Sequence, residues 1–260
     1  MKEFANKVAI VTGTTGIGRA IAKKLASGGA SVMACGIDAD ANRALQQESD
    51  AHGLAIRVEL CDVSRPEQVQ AVVAKAAAEF GGLDLIANSA AIHPFGNAVE
   101  TVPETWNRCM AVNLGGVYLL SHFGIPEMRK RGGGSIVVVA SVQGHACQHG
   151  VAAYAASKGG LLSLTRALAL DHAADRIRVN SISPGSIRTP MLEHAAAHFS
   201  PDLPVDAVVA RFGAAHPLGR VGTVEEVAEL AAFLLSDRSA FCTGGDYLID
   251  GGLLAGIAVQ

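Results

Sequence analysis

Short apolar runs rich in β-branched residues alternate with helical patterns along almost the whole chain. Each run ends at Gly, Pro, Ser or Asp, which is typical of a buried strand. Because these runs are apolar on both faces, the sheet they form must be covered on both sides, as a parallel sheet is by its crossover helices. The runs are KVAIVTG at 7–13, SVMACG at 31–36, AIRVELCD at 55–62, LDLIANS at 83–89, GSIVVVAS at 134–141 and IRVNSISPG at 177–185.

Segments between these runs repeat their apolar residues at intervals of three and four, which predicts helices. They are IGRAIAKKLASGG at 17–29, PEQVQAVVAKAAAEFGG at 66–82 and TPMLEHAAAHF at 189–199. Strands that alternate with helices predict a doubly wound, Rossmann-like α/β fold with a parallel sheet. The length of 260 residues suits one such domain. No repeat, low-complexity tract or linker divides the chain, so we expect a single domain over 1–260.

Charge and cysteine content narrow the class of protein. The formal net charge is −3 and Lys and Arg are scattered, so we expect no nucleic-acid partner. Five cysteines show no C-x-x-C pair, which favours free thiols, no metal site and a reducing, cytoplasmic location. Residues 1–7 are too polar for a signal peptide, and no apolar run approaches the roughly 20 residues of a membrane span. We therefore expect a soluble protein with no membrane partner.

The first run leads into VTGTTGIGRAIAKKL at 11–25, where Gly13, Gly16 and Gly18 mark the turn from a strand into a helix. Glycine lets the backbone approach a phosphate, and a helix N-terminus offers N–H donors to a pyrophosphate. The order G-x-x-G-x-G differs from the more usual G-x-G-x-x-G, so a merely tight turn is the alternative interpretation. The βαβ unit that follows favours a dinucleotide site.

The end of the second run bears on the choice of cofactor. An acidic residue about 20 positions beyond the glycine loop accepts the ribose 2′-hydroxyl of NAD and repels the 2′-phosphate of NADP. Asp38 lies two residues past that place, and no basic residue occupies positions 14, 15, 36 or 37. This pattern favours NAD, with NADP possible. Asp38 could equally be a solvated turn residue.

The segment YAASK places Tyr154 and Lys158 four residues apart in a stretch with few other charges. On a helix, residues at this spacing share one face and can act on a single point. A cation near a phenol stabilises the phenolate and lowers its pKa from about 10 toward the range of a useful acid and base. By itself the spacing also suits an ordinary surface pair. Ser141 and Asn113, between the glycine loop and Tyr154, make a catalytic site the better interpretation.

These motifs resemble the short-chain dehydrogenase/reductase family over almost the whole chain. The segment 12–18 matches TGxxxGIG, and Tyr154 and Lys158 match YxxxK. The family's NNAG reads NSAA at 88–91, so two side chains differ and a methyl group is expected near the cofactor ribose. The other matching positions are Asp62, Val63, Asn113 in AVNLGGVY, Ser141 in VVVASVQG, Pro184, Gly185 and Thr189.

The resemblance implies hydride transfer between nicotinamide and a carbinol carbon. It implies that Tyr154 is the acid and base, and that Lys158 also binds the nicotinamide ribose. Ser141 would hold the substrate oxygen and Asn113 would support a water chain. Asp62 is expected at the adenine amino group, and Ile187 and Thr189 at the nicotinamide amide and phosphates. The expected cofactor contacts are Gly13, Thr15, Gly16, Ile17, Gly18, Asp38, Asp62, Val63, Asn88, Ala90, Tyr154, Lys158, Pro184, Gly185, Ile187 and Thr189.

Three segments are expected to contact the substrate. They are the loop after the fourth strand, the segment between Ser141 and Tyr154, and a lid of short helices at about 189–218. Glu193, His194 and His198 on the lid could touch a polar substrate or be exposed surface. The other polar residues expected around the pocket are His93, Gln143, His145, Gln148 and His149.

Polar walls favour a sugar or a small cyclic alcohol over a long acyl chain. The segments 183–195 and 239–256 also resemble family members that oxidise sugars such as fucose. An NADPH-dependent reductase of 3-oxoacyl or other ketone substrates is one alternative, and a catalytically silent dinucleotide sensor is another. The segment 150–170 is apolar on nearly all sides, so it needs more cover than one sheet gives and predicts a homo-oligomer, a dimer or a tetramer.

Overall fold

The computed structural model describes residues 2–256 of the chain. Over that range, seven strands are formed: β1 Val8–Thr12, β2 Ser31–Gly36, β3 Ile56–Leu60, β4 Leu85–Asn88, β5 Gly134–Val139, β6 Ile177–Pro184 and β7 Asp246–Ile249. They form one parallel sheet in the order β3-β2-β1-β4-β5-β6-β7.

Helices cover both faces of the sheet, which confirms the doubly wound α/β fold. The helices are α1 Gly16–Ser27, α2 Ala39–Ala51, α3 Pro66–Phe80, α4 Pro103–Met110, α5 Gly116–Lys130, α6 Ala152–His172, α7 Pro190–Phe199, α8 Val205–Ala214 and α9 Val224–Leu235. One apolar cluster packs α1 and α9 on one face, and a second packs α3, α5 and α6 on the other.

Strand β7 is the one strand of the described sheet that the apolar pattern did not predict. It has four residues, DYLI, and lies at the edge of the sheet with no fully buried position. An edge strand need not be apolar on both faces, so its sequence lacks the continuous run that marks β1 and β5. Its register beside β6 is set by pairs such as Ser181 with Asp246.

The strand order places a crevice at the carboxyl ends of β1 and β4. The chain moves outward from β1 to β2 and β3, then returns to add β4 on the other side of β1. Thr12 thereby pairs with Cys35 on one side and with Asn88 on the other. Connections that leave in opposite directions open a space between them, which is where doubly wound sheets bind ligands.

One continuous helical stretch, Pro103–Lys130, is long and apolar enough to cross a membrane by length and composition, with a mean hydropathy of 1.2. It comprises α4, a π-helical turn at Ala111–Gly115 and α5. Half of the most apolar part of this stretch is buried. The stretch packs against α3, α6, β4 and β5. These contacts are those of a core helix in this fold.

The expected lid segment contains α7 and α8. A small apolar cluster of their own joins the two helices through Ala196, Val208 and Val209. Thr189 precedes α7 and caps its N-terminus, because its hydroxyl accepts a hydrogen bond from the main-chain N–H of Leu192. The segment is thus a packed helical pair beside the crevice.

Candidate active site

A cavity of about 610 Å³ lies at the carboxyl edge of the sheet. Most of the residues predicted as site residues line it, although they come from widely separated segments. They are Gly13, Thr15, Gly16, Ile17, Asp38, Asp62, Val63, Ala90, Ser141, Tyr154, Lys158, Pro184, Gly185, Ile187 and Thr189.

Three other predicted site residues lie behind the cavity wall. Gly18 is buried in α1, Asn88 ends β4, and Asn113 lies in the π-helical turn. The amide nitrogen of Asn88 is buried without a hydrogen-bond partner among residues 2–256. These three residues shape the groups that form the wall.

The glycine loop has the geometry of a phosphate cradle. Gly13 and Gly16 have φ angles of 91° and 48°, which favour glycine. Thr15 caps α1 without a side-chain hydrogen bond, so its side chain does not occupy the N–H groups of the first turn. A Cβ on Gly16 would lie 3.1 Å from the methyl carbon of Thr189, so glycine keeps the entry to these donors open. The loop therefore fits the pyrophosphate of a dinucleotide.

The altered NSAA segment is held through its backbone. The hydroxyl oxygen of Thr12 accepts hydrogen bonds from the main-chain N–H groups of Ser89 and Ala90, both at 3.0 Å. These bonds do not depend on the side chains that differ from NNAG. The departure from the family motif consequently leaves this part of the wall in place.

Asp38 combines the two interpretations of its position. One carboxylate oxygen caps α2, because it accepts hydrogen bonds from the N–H groups of Asp40 and Ala41 at 2.9 and 3.0 Å. The residue also lines the cavity beside Gly36 and Ile37. The cap fixes the side chain at the cavity rim and leaves its second oxygen free for a ligand.

Asp62 has a partner that sequence reasoning missed. Arg108 on α4 pairs with the Asp62 carboxylate at 2.9 Å, and Ser64 donates to the same carboxylate through its N–H and hydroxyl. Burial raises the pKa of Asp62, but these hydrogen bonds outweigh it and hold the pKa below its usual value. Arg108 lies in no motif with a fixed spacing to Asp62, so only the fold brings them together.

Tyr154, Ser141 and Lys158 meet at the inner end of the cavity. All three are buried, and the Lys158 ammonium lies 5.5 Å from the centroid of the Tyr154 ring. The ammonium donates a 2.7 Å hydrogen bond to the main-chain carbonyl of Val139, at the end of β5. The side chains of these two residues, four apart on α6, thus lie on one face of the helix.

Within residues 2–256, the protein's own groups do not lower the pKa of the Tyr154 phenol as the sequence predicted. Burial raises the pKa of Tyr154 to about 12, and the hydrogen bond with Ser141 offsets only part of this. Burial lowers the pKa of Lys158 to about 8. Desolvation is the largest cause of both shifts, because both groups lie away from water.

Asn113 fixes the loop that follows β4. Its amide donates to the main-chain carbonyl of Ile92 at 2.9 Å and accepts from the N–H of Ile92 at 2.8 Å. The same amide donates to the hydroxyl of Ser157 at 3.0 Å. The π-helical turn re-aims the side chain towards these partners, a common use of such turns at functional sites.

The loop after β4 and the lid helix α7 meet in an aromatic cluster. The Phe95 ring stacks on His198 at 3.8 Å and meets Phe199 edge to face at 5.2 Å. His93 joins Phe95 at 5.0 Å and contacts the Tyr154 ring edge to face at 4.2 Å. Helix α7 is thus connected to Tyr154 through three ring contacts, by way of Phe95 and His93.

The cavity wall is more apolar than the sequence suggested. Of the expected polar residues, His93, Gln143 and Gln148 line it, whereas His145 and His149 do not. His145 instead lies 2.7 Å from the carboxylate of Asp246. His194 and His198 lie against Phe95, and Glu193 pairs with Arg188. The apolar wall consists of Ala146, Met191, Leu192, Ala195, Phe199, Phe212, Leu253 and Leu254.

His216 is a second residue that the sequence did not reveal. It is buried, its Nε2 accepts from the N–H of Ser186 at 3.1 Å, and its Nδ1 donates to the carbonyl of Phe212 at 2.8 Å. It therefore ties the turn after β6 to the lid helix α8. The sequence offers HP at 216–217 as its only sign.

We expect His216→Phe to weaken binding of NADH about tenfold, since it leaves a buried N–H and a carbonyl unpaired beside the nicotinamide end of the wall. Binding of ADP-ribose, which lacks that ring, should change little. Isothermal titration of both ligands against both proteins measures the difference. An equal loss for the two ligands would indicate general damage instead of a positioning role.

The fold and site together define a class of protein. A phosphate cradle at the switch point of a doubly wound sheet suits a dinucleotide, and a buried Ser-Tyr-Lys set beside it suits proton exchange with a substrate oxygen. Oxidised nicotinamide bound in this crevice would supply the hydride acceptor. These features define a nicotinamide-dependent oxidoreductase.

Comparison with known proteins gives the family. The family model for enoyl-(acyl carrier protein) reductase matches residues 11–254. The chain is 38% identical to cyclohexanol dehydrogenase of Acinetobacter sp. (strain SE19) over 251 residues, which cover 96% of this chain and 95% of the relative. It is also 38% identical to L-fucose dehydrogenase of Bos taurus, over 96% of this chain and 90% of the relative. The chain belongs to the short-chain dehydrogenase/reductase family.

A solved structure supports the same conclusion. Aldohexose dehydrogenase of Thermoplasma acidophilum in its ligand-free form superimposes with a TM-score of 0.91 at 33% identity. The match covers 100% of this chain and 98% of that one. The expected family and fold are both confirmed.

Proposed function

We propose that the protein oxidises a secondary alcohol on a small, largely apolar ring, with NAD⁺ as the hydride acceptor. The apolar part of the wall, in the same cavity as Ser141 and Tyr154, is the observation that carries this proposal. An apolar ring gains free energy from burial against such a wall, whereas every unpaired hydroxyl on a sugar would lose its hydration there. The similarity to a cyclohexanol dehydrogenase supports the same substrate class.

In the proposed reaction, Tyr154 takes the proton from the alcohol and Ser141 holds the alcohol oxygen. Lys158 supplies a positive charge that stabilises the phenolate and binds the nicotinamide ribose. Asn113 keeps the Ile92 backbone and Ser157 in place and supports a proton path to solvent. The α7 and α8 segment at 189–218 is the substrate lid, held over the site by the contact of Phe95 with His198.

The preference for NAD⁺ is supported by the charges on the wall. Asp38 lies at the rim where a ribose hydroxyl would bind. Within residues 2–256, the Lys and Arg residues that line the cavity are Lys158, which is buried at the catalytic end, and Arg108, which pairs with Asp62. No free cation of this wall is therefore placed for a 2′-phosphate.

An initial-rate panel tests the function. We expect kcat/KM for cyclohexanol to be at least about tenfold higher with NAD⁺ than with NADP⁺, and at least about tenfold higher than for L-fucose with NAD⁺. The panel also includes D-glucose, and cyclohexanone and a 3-oxoacyl ester with NADH or NADPH. Faster reduction of ketones with NADPH, or no oxidation of any ring alcohol, would contradict the proposal.

An aldose dehydrogenase is the second candidate. His93, Gln143 and Gln148 on the wall could contact sugar hydroxyls. Relatives that act on L-fucose and on aldohexoses support it. In the same panel this candidate predicts that L-fucose or D-glucose is oxidised faster than cyclohexanol.

We also propose a cytoplasmic homo-oligomer, a dimer or a tetramer. The outer face of α5 and α6 exposes apolar side chains, with Tyr118 53% and Leu170 80% exposed. Association would bury this surface. Sedimentation velocity at micromolar concentration should give a dimer or tetramer. A monomer at that concentration would contradict the proposed assembly.

A further inference from the structure

Two polar atoms on the cavity wall lack hydrogen-bond partners. Among residues 2–256, Nδ1 of His93 and the side-chain oxygen of Gln143 are buried and unpaired. The other unpaired buried side-chain atoms belong to Asn42, Asn88 and Thr165, which do not line the cavity. Because a buried polar atom without a partner is costly, its place on a ligand-binding wall indicates that a ligand group satisfies it.

The two residues adjoin the groups that would hold the reacting oxygen. The His93 ring contacts the Tyr154 ring with 4.2 Å between centroids. The main-chain N–H of Gln143 donates to the Ser141 hydroxyl at 3.1 Å. We therefore expect the carbon atoms next to a carbinol held by Ser141 and Tyr154 to lie close to His93 and Gln143.

The chemistry of the two atoms restricts the group that they can bind. Gln143 donates its amide N–H to Gln148 at 3.2 Å, which leaves its oxygen as an acceptor in need of a donor. Burial and the nearby Lys158 charge lower the pKa of His93 to about 4, so its ring is neutral and offers one donor and one acceptor nitrogen. A hydroxyl can serve both residues. A carboxylate or a ketone cannot donate to Gln143, and an ammonium cannot accept and would meet the charge of Lys158.

We propose that His93 and Gln143 form a subsite for a hydroxyl group on the carbon next to the reacting carbinol, so that the preferred substrates are ring compounds with vicinal hydroxyls. This inference rests on the proposed function and specifies its substrate. One face of such a ring is polar at the two hydroxyls, and the remainder is apolar. The wall offers both kinds of contact, with His93 and Gln143 among its polar residues and Met191 and Leu254 among its apolar residues.

A series of matched alcohols tests the subsite on the wild-type enzyme. The series is cyclohexane-1,2-diol, 2-methoxycyclohexanol, 2-methylcyclohexanol and cyclohexanol, each as separated cis and trans isomers where these exist. The substituents offer a donor and an acceptor, an acceptor only, or neither. We expect kcat/KM for one diol isomer to exceed that for the methoxy and methyl compounds by about tenfold or more.

Two variants then assign the preference to its residues. His93→Phe and Gln143→Leu keep the approximate shape of each side chain and remove its polar atoms. Each should lower the ratio of kcat/KM for the diol to that for cyclohexanol by about tenfold. His149→Phe is the matched control, because His149 is exposed and does not line the cavity. Its ratio should equal that of the wild type.

The outcomes separate the inference from the function on which it rests. Equal rates across the series in the wild type would overturn the subsite and leave ring-alcohol oxidation standing. A diol preference that survives in both variants would overturn the assignment to His93 and Gln143. Failure to oxidise any member would overturn the proposed function and the subsite together.

Discussion

Tyr154→Phe should lower kcat for alcohol oxidation by about 10²- to 10⁴-fold, the usual contribution of a general acid or base. The phenol is buried at the inner end of the cavity, beside Ser141 and Lys158. Phenylalanine keeps the ring that packs against His93 at 4.2 Å. Binding of NAD⁺ should therefore stay within about threefold of the wild type, since the glycine loop is untouched.

The measurement pairs steady-state rates with fluorescence titration of NADH. Tyr118→Phe is the matched control, because Tyr118 is exposed on α5 and away from the cavity. That variant should keep the full rate. Turnover by Tyr154→Phe equal to that of the wild type would remove the acid-base assignment.

The pH dependence of oxidation follows from the same pair. Burial lowers the pKa of Lys158 to about 8 and raises that of Tyr154 to about 12. Below pH 8 both groups keep their protons, so the pair holds no base. Above it Lys158 has lost its proton, and transfer of the Tyr154 proton to Lys158 then leaves a phenolate that can accept the proton of the alcohol. We expect kcat/KM for oxidation to rise with pH through about 8, and the rise to be lost in Tyr154→Phe.

The sequence predicts the central strands well, because a strand that is buried on both faces consists of apolar residues. Strands β1 and β5 are continuous apolar runs that end where the site begins. The edge strand β7 was not predicted. It is only partly buried and has one exposed edge, so its sequence needs no continuous apolar run. The glycines and the Tyr154 and Lys158 spacing were equally readable, because local backbone geometry and helical periodicity fix what they can do.

Contacts across the fold are what the sequence could not predict. Arg108 lies 46 positions from Asp62, and His216 lies 30 positions from Ser186, yet each pair is hydrogen-bonded. The polarity of the pocket was misjudged for the same reason. His145 and His149 are near Ser141 in sequence, but the turn directs them away from the cavity, while Leu253 and Leu254 reach it from the other end of the chain.

Burial also reverses the expected direction of the Tyr154 pKa. The spacing of Tyr154 and Lys158 predicts that their side chains lie near each other, as they do, but spacing carries no information about how far both groups lie from water. Desolvation raises the pKa of the phenol and lowers that of the ammonium. If Tyr154 is the base, we therefore expect the charge of bound oxidised nicotinamide to contribute more to lowering its pKa than the sequence suggested.

Gly18→Ala should destabilise the protein and abolish tight cofactor binding, although alanine is the better helix former. A Cβ at this position would lie 2.2 Å from the Gly13 carbonyl oxygen and 2.7 Å from that of Thr12. Both contacts are with backbone, so α1 must move away from the end of β1. Such overpacking costs typically 1–3 kcal/mol or more, which exceeds the helix-propensity gain of about 1 kcal/mol from replacing glycine.

The displacement falls on the residues that would bind phosphate. Gly13 lines the cavity, and the N–H groups at the start of α1 must keep their direction for a pyrophosphate to use them. We therefore expect the thermal midpoint to fall by several degrees, at about 2–4 °C per kcal/mol for a chain of this size, and NAD⁺ affinity to fall by about a hundredfold. Differential scanning calorimetry and isothermal titration measure the two effects.

Gly159→Ala is the matched control for this prediction. Gly159 is also helical, in α6, but a Cβ there would lie 3.8 Å from the nearest atom outside its own part of the helix, the Gly144 carbonyl oxygen, an ordinary contact. That variant should keep or raise the thermal midpoint, because alanine favours the helix by about 1 kcal/mol over glycine. If Gly18→Ala behaved in the same way and still bound NAD⁺ tightly, close packing of α1 on β1 would not be what positions the phosphate cradle.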